Sequence, residues 1–323
     1  MKRPATLILG GLVLAGLLAF GVLLYAWRGP GPAERPVAVV IPQGASLTTA
    51  ARALEEAGAI ASASRFTLLA RLLGGGAGVQ AGEFAIPARA SAAEALRALR
   101  EGRALQRFVV VPEGTPSVLV HERLMRAPHL TGTVPVPAEG SVLPDSYSYQ
   151  RGESRAAVLG RMQEAMRREL ARLWPTRQPR SVVRTPEEAV ILASIVEKET
   201  GKPSERRMVA GVYSNRVRIG MKLDADPTVI YPITQGRPLG RRIRRSELRA
   251  VNGYNTYAMA GLPVGPIANP GRESIAAVLD PADTRALYFV ADGTGGHVFA
   301  DTLAQHNANV VKWYAIRRAR GEM

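Results

Sequence analysis

The chain has 323 residues and a formal net charge of +15, and it contains no cysteine. The lack of cysteine excludes a disulfide framework, a thiolate metal site and a thiol nucleophile. Four histidines are scattered rather than set at metal-ligand spacing, which argues against a catalytic zinc. A hydrophobic share of 46% is ordinary for a globular protein, so the excess positive charge indicates an anionic surface, polymer or substrate.

The N-terminal segment from Ala5 to Trp27 has 23 residues and no charged side chain. As a helix it would be about 34 Å long, which is enough to cross a bilayer. It is longer than the apolar region of a cleaved signal peptide and ends in a poor cleavage site, so residues 1–28 are predicted to be a cytoplasmic tail and a retained anchor. Lys2 and Arg3 precede the span. We therefore expect a single pass through a membrane, with a short basic tail inside and the large body outside.

The rest of the chain divides by pattern into four parts. Residues 29–36 are rich in proline and glycine and are predicted to be a linker. Residues 37–113 alternate short apolar runs with helical patterns, which predicts a small βααβ module. Residues 114–184 form a connecting helical region, and residues 185–323 form a larger mixed α/β domain. The predicted fold class is therefore α+β.

Within the module, strands are expected at 37–41, 84–86 and 108–111, with helices at 47–57, 66–73 and 93–99. Further on, residues 287–291 and 297–300 have the pattern of a β-hairpin.

The segment from Thr185 to Gly201 is predicted to be a helix. Thr185 suits the N-cap, Pro186 the first helical position and Glu188 the third, which is the order of a capping box. Gly201 favours a C-terminus, and Pro203 beyond it prevents continuation.

The apolar stripe of this helix runs through Leu192, Ile195 and Val196, and its next position is Glu199. A carboxyl held against an apolar face loses hydration on ionising, so its pKa rises and its proton stays available for general acid catalysis. Glu197 is rotated by about 200° from Glu199 and cannot point into the same cleft. The competing interpretation is that both glutamates are simply solvated on a surface helix. The pattern alone leaves the two interpretations open.

A second helix is expected over residues 204–219, with Asn215 on its apolar face. Its amide could bind substrate or bond internal backbone, and Arg216 beside it could pair with a carboxylate. Residues 223–228 are expected to form a shaped loop. Aromatic rings can stack on sugar faces and amides can pair with hydroxyl and acetamido groups. The remaining candidate substrate ligands are Asp226, Thr228, Tyr254, Asn255, Tyr257 and Asn269.

Five motifs follow one another in the chain: LPDSYSY, ILASIVEKET, VYSNRVRIGMKLDADPTVIYP, YNTYAMAGLPVGPIANPG and LYFVADGTGGHVF. In order and spacing they resemble the MltG/YceG family of endolytic peptidoglycan transglycosylases, from about residue 37 to the C-terminus. Val264 stands where the family often has a second proline, and Val142 where it commonly has a bulky residue. Both departures are mild.

The resemblance implies an inner-membrane anchor, a LysM-like module and a catalytic domain that cuts nascent glycan strands near their penicillin-binding synthases. The family's essential acid is the second glutamate of the EKET motif, which maps to Glu199. The implied reaction is nonhydrolytic cleavage of the bond between N-acetylmuramic acid and N-acetylglucosamine, which forms a 1,6-anhydro end. It requires no cofactor and no metal.

Two other functions compete with this expectation. One is a noncatalytic peptidoglycan-binding or scaffold protein of the wall-synthesis machinery. The other is a nucleic-acid binder, suggested by the arginine cluster at 241–245 and a pI near 10.8. Export would remove the body from nucleic acid, so we expect no such partner, and the cluster better suits lipid head groups, stem-peptide carboxylates or an acidic protein.

Overall fold

The computed structural model describes residues 3–75 and 78–322, with side chains from residue 14 onward. Its strands are β1 (Val37–Ile41), β2 (Gly82–Ile86), β3 (Arg107–Val110), β4 (Ser146–Tyr149), β5 (Tyr288–Ala291) and β6 (His297–Ala300). Its helices are α1 (Arg3–Arg28), α2 (Leu47–Glu56), α3 (Ala63–Leu73), α4 (Ala92–Glu101), α5 (Ser117–Arg126), α6 (Arg155–Leu173), α7 (Pro186–Glu199), α8 (Arg206–Arg218), α9 (Asp226–Thr234), α10 (Arg245–Arg249), α11 (Arg272–Leu279) and α12 (Leu303–Ala319).

The chain forms two compact units, Met1–Arg107 and Phe108–Met323. Both units contain helices and two-stranded antiparallel or neighbouring strands, so the predicted mixture of helix and strand is confirmed. The region expected to connect two domains, residues 114–184, packs inside the second unit, where β3 and β4 are hydrogen-bonded neighbours.

The first unit has the expected βααβ order. Strands β1 and β2 pair antiparallel, with Val37 opposite Ile86. Helices α2, α3 and α4 each begin at a serine N-cap that accepts a hydrogen bond from a first-turn amide. Leu54, Phe84 and Leu99 are almost fully buried among them, so one small core holds the strands and helices together.

Helix α1 covers the predicted anchor, but the side chains of residues 3–13 lie outside those described. Among the described residues, no helix meets the length and apolarity needed to span a membrane. Trp27, at the end of the predicted anchor, is 7% exposed and packs on Phe66 with ring centroids 6.4 Å apart. Tyr25 is exposed. The anchor remains a prediction.

The core of the second unit is built around α7. Leu192, Ile195 and Val196 are fully buried, as the stripe predicts, and α8 and α11 pack against them. The Thr185 hydroxyl accepts from the Glu188 amide, but the Glu188 carboxylate accepts from the amide of residue 184 rather than from Thr185. The helix therefore begins where predicted, with half of a capping box.

The next two elements differ from expectation. Helix α8 starts at Arg206 after a short 3-10 turn and ends at Arg218, and Ile219 beyond it is 61% exposed. The buried face runs through Val209, Val212 and Tyr213. The expected loop at 223–228 contains the start of α9, because Pro227 in the first turn has the φ angle of a helix and needs no amide partner there.

A buried network of hydrogen bonds connects the loops beside α7. The Asn269 side chain accepts from the Val142 amide at 3.0 Å and donates to the Thr115 carbonyl at 2.9 Å. The Ser194 hydroxyl of α7 accepts from the Ile267 amide at 3.0 Å. The predicted hairpin is confirmed as antiparallel β5 and β6. Of these hydrogen bonds, the one at Ser194 joins the loop before α11 to α7.

Candidate active site

Glu199 is the last residue of α7, and its carboxyl is surrounded by protein while the residue keeps some exposure. Burial raises the pKa of Glu199 to about 7, and the negative charge of Asp226 adds to the rise. The Tyr213 hydroxyl and the Arg216 guanidinium act in the opposite direction. The C-terminal end of a helix also disfavours a negative charge. Glu199 is therefore a carboxylic acid that can give up a proton near neutral pH.

Glu197 has a different environment, as the helical geometry predicted. Its carboxylate accepts from the Gly271 amide at 2.9 Å and lies 3.5 Å from the Arg206 guanidinium. The side chain is only 6% exposed. Glu197 is thus bonded to the loop before α11 and has partners that differ from those of Glu199.

Helix α8 supplies two groups at Glu199. Tyr213 is 1% exposed, and its hydroxyl is hydrogen-bonded to Glu199. Burial raises the pKa of Tyr213, so the phenol keeps its proton and acts as the donor. The edge of its ring meets Phe289 of β5 at 5.8 Å. Arg216 donates to the Leu287 carbonyl at 2.6 Å and the Leu223 carbonyl at 2.7 Å, so its charge is fixed in place.

A third group lies at the start of α9. Asp226 accepts a hydrogen bond from the Tyr257 hydroxyl at 2.7 Å. Burial is the largest cause that raises the pKa of Tyr257, and the hydrogen bond to Asp226 is the next. Nearby, the buried Thr228 hydroxyl donates to the Ala225 carbonyl at 2.7 Å and lies 2.8 Å from the Thr256 hydroxyl. Thr228 thereby holds the backbone next to Asp226.

The structure brings four of the predicted site residues together: Glu199, Arg216, Asp226 and Tyr257. Tyr254 is half-buried and packs on Tyr231, with ring centroids 4.9 Å apart.

The other candidates have internal partners. The Asn215 amide donates to the carbonyls of Thr284 and Ala286. The Asn255 amide, fully buried, donates to carbonyls around α10. Asn269 belongs to the buried hydrogen-bond network beside α7, and the Thr228 hydroxyl donates to the carbonyl that precedes α9. Their contact with substrate stays a prediction.

Tyr213 was not anticipated from the sequence. It follows Val209 by four residues and precedes Arg216 by three, so the helical period could have placed all three on one face. Within the described part of the chain, no cluster of three or more histidine, aspartate or glutamate side chains has the arrangement of a metal site.

The fold and the site define a mixed α/β protein in which burial and a neighbouring negative charge raise the pKa of the Glu199 carboxyl to about 7. The sequence model of the YceG-like family matches residues 39–312, and the chain belongs to this family.

Relatives in this family have been named for an activity. Over 129 residues the chain is 36% identical to the endolytic murein transglycosylase of Bacillus subtilis, a match that covers 40% of this chain and 35% of that protein. Over 180 residues it is 32% identical to the endolytic murein transglycosylase of Streptococcus pneumoniae strain D39, covering 54% and 32%. The matched part is thus about a third of each relative's length.

A solved structure of a yceG-like protein from Listeria monocytogenes is also similar. The TM-score is 0.53 at 25% sequence identity, and the match covers 85% of this chain and 99% of that one. The likeness therefore extends over both units rather than the site alone.

Proposed function

We propose that this protein is an endolytic murein transglycosylase in which Glu199 is the acid and then the base. The observation that carries the proposal is the enclosed Glu199 carboxyl, whose pKa of about 7 keeps a proton available at neutral pH. Family membership and the names of the relatives support the reaction class.

The reaction begins with proton transfer from Glu199 to the glycosidic oxygen, which lets the N-acetylglucosamine leaving group depart with that proton. Positive charge develops at C1 of the N-acetylmuramic residue. Glu199, now a carboxylate, accepts the proton of the muramic 6-hydroxyl as that oxygen bonds to C1 and closes the 1,6-anhydro ring. Atoms balance without water, so one carboxyl can serve both steps.

Glu199 is suited to both roles by its surroundings. The Tyr213 hydroxyl donates to it and Arg216 places a positive charge nearby, which stabilise the carboxylate after the first transfer. Burial and the Asp226 charge favour the protonated form before it. A pKa close to working pH makes proton loss and proton gain comparably easy. Cleavage should therefore decline above about pH 7, as Glu199 loses its proton in the free protein.

The finer parts of the proposal concern location and partners. We infer that residues 5–27 anchor the protein in the inner membrane, that residues 37–113 are a LysM-like module for peptidoglycan, and that the body is periplasmic. Support comes from the uncharged N-terminal run and from the βααβ order. Cutting nascent strands would place the protein beside penicillin-binding synthases.

The test compares Glu199→Gln with Glu197→Gln, two variants of the same chemistry on one helix. Purified sacculi are incubated with each protein, and the released muropeptides are identified by mass spectrometry. Glu199→Gln should release no anhydro-ended product while remaining folded. Glu197→Gln should retain cleavage, because glutamine can still accept from the Gly271 amide. Full complementation of a deletion strain by Glu199→Gln would instead favour a noncatalytic wall-binding role.

A further inference from the structure

Three exposed arginines, Arg242, Arg245 and Arg249, have no carboxylate partner. Within residues 78–322, which the structure describes, no ion pair includes any of them. Glu247 is the one acidic residue between residues 236 and 251, and it is already paired with Arg241 at 2.5 Å. Arg242, Arg245 and Arg249, here named the arginine surface, therefore carry positive charge that no neighbouring carboxylate neutralises.

The arginine surface is held in place by its neighbours. Arg245 and Arg249 are one turn apart on α10, so their side chains lie on one face of the helix. Like charges at this spacing repel each other and weaken a helix slightly. Contacts from outside α10 hold it, because the fully buried Asn255 amide donates to three carbonyls between residues 247 and 250, at 2.7 to 3.1 Å.

The segment 254–257 connects the arginine surface to the site. Asn255 is bonded to α10, as described above. Thr256 accepts hydrogen bonds from two amides just before α9, at 3.3 Å through its carbonyl and 3.1 Å through its hydroxyl. The Tyr257 hydroxyl donates to Asp226 at 2.7 Å. One segment of four residues is thus bonded both to α10 and to the wall of the cleft.

Two exposed valines accompany the arginines. Val251 follows Arg249 by two residues and is 90% exposed. Val264 is 71% exposed, and its amide donates to the Gly253 carbonyl at 2.9 Å. Guanidinium groups next to aliphatic side chains suit a ligand that has both carboxylates and methyl groups. A peptide that contains alanine and free carboxylates has this composition.

We propose that the arginine surface is a subsite for the peptide carboxylates of murein, and that it makes the protein prefer strands whose peptides carry free carboxylates. A strand that occupies the cleft at Asp226 would extend alongside α10, because both are bonded to the segment 254–257. The sequence alone left lipid head groups, stem-peptide carboxylates and an acidic protein open as ligands of this cluster, and the connection to the cleft favours the peptides. The inference rests on the proposed function, since it takes murein as the polymer in the cleft.

The binding experiment uses the full chain with Glu199→Gln, so that bound strands are not cut. Soluble peptide-bearing murein strands with a fluorescent label are titrated with this protein, and fluorescence anisotropy gives Kd. The ligand control is the same strands after their carboxylates have been converted to amides with carbodiimide and ammonia. Strands with free carboxylates should bind about fivefold to tenfold more tightly, because three exposed ion pairs contribute about twofold each.

The test variant replaces all three arginines of the arginine surface by glutamine. It should bind both kinds of strand equally, with the affinity that the unaltered surface has for amidated strands. The matched control removes the same charge by glutamine substitution of three exposed arginines on α6, before α7 and near the end of α12: Arg168, Arg184 and Arg318. The control should keep the preference for free carboxylates.

Cleavage by protein that retains Glu199 gives a second readout. Glutamine at Arg242, Arg245 and Arg249 should raise KM for unmodified strands about fivefold to tenfold and leave kcat unchanged. The reason is that a peptide bound away from the reacting bond is held equally in the bound and transition states.

The outcomes separate this inference from the proposed function. Equal affinity for free and amidated strands overturns the inference, and so does an equal loss in the test and control variants, which would reflect net charge alone. Phosphatidylglycerol vesicles that displace amidated and unmodified strands alike, and only when the three arginines are present, would assign the surface to lipid and also overturn it. A carboxylate preference that depends on the three arginines, in a protein that cleaves no glycan, supports the inference and defeats the proposed function.

Discussion

Replacing Glu199 by glutamine should make the protein more stable in alkali while abolishing its proposed activity. Glutamine has nearly the same shape and never ionises. The wild-type carboxyl must ionise in an environment that opposes its charge. The pKa of Glu199 rises from the ordinary value of 4.5 to about 7 because of burial and the Asp226 charge. Stability linked to a raised acid pKa is complete below the unfolded value and declines as pH rises through the folded value.

The magnitude follows from these two pKa values. At about 1.4 kcal/mol per pKa unit, the difference corresponds to at most about 3 kcal/mol lost between pH 4.5 and pH 7. Because the carboxyl keeps some contact with solvent, we expect about 1 to 3 kcal/mol. Above pH 7 the loss is constant. The variant should exceed wild type by more at pH 8 than at pH 5, because only about a quarter of the loss has occurred by pH 5.

The assay is urea unfolding followed by circular dichroism at both pH values. The informative quantity is the free energy of unfolding of the variant minus that of wild type, in which every other titrating group cancels. Glu187→Gln, an exposed change on the same helix, is the control and should show no such dependence. If the difference for Glu199→Gln is the same at pH 5 and pH 8 within about 0.5 kcal/mol, then Glu199 is not held protonated and the reasoning fails.

Two further changes test the frame around the site by the same unfolding measurement. Gly140 has a φ angle of 74°, and an added methyl would stand 2.6 Å from Pro266 and 2.7 Å from Val190. Gly140→Ala should therefore cost about 2 to 4 kcal/mol, and a neutral result would mean this loop is free to move. Asn269→Ala should cost about 2 to 4 kcal/mol, because it leaves the Val142 amide and neighbouring groups buried without partners. A cost below about 0.5 kcal/mol would show that the hydrogen-bond network of Asn269 contributes little to the stability of the fold.

Glu199 could be predicted as a candidate from the sequence because its place at the end of the apolar stripe is a local property of the helix. Burial of Leu192, Ile195 and Val196 follows from the helical period, and the same period carries Glu199 to the edge of the core. The caps of α2, α3 and α4 are equally local, since a serine hydroxyl bonds an amide three residues on. Such features depend on neighbours in the chain.

The partners of Glu199 depend on tertiary structure. Asp226 and Tyr257 are 31 residues apart and meet only because the loops around them are bonded through Thr256. The amides of Asn215 and Asn255 were predicted to bind substrate, but in the structure they donate to backbone carbonyls. An amide that suits a sugar hydroxyl also suits a backbone carbonyl, and residue type does not distinguish the two. The sequence therefore marks Glu199 as a candidate acid, whereas the contacts that shift its pKa depend on the fold.

The measurement that tests the account most directly is digestion of purified sacculi in water labelled with heavy oxygen, with mass analysis of the new muramic ends. The mechanism assigned to Glu199 uses the 6-hydroxyl of the sugar and no water. It predicts anhydro ends that contain no label and are one water lighter than hydrolysed ends. Reducing ends that carry the heavy oxygen would show attack by solvent, and the acid-then-base role of Glu199 would be contradicted.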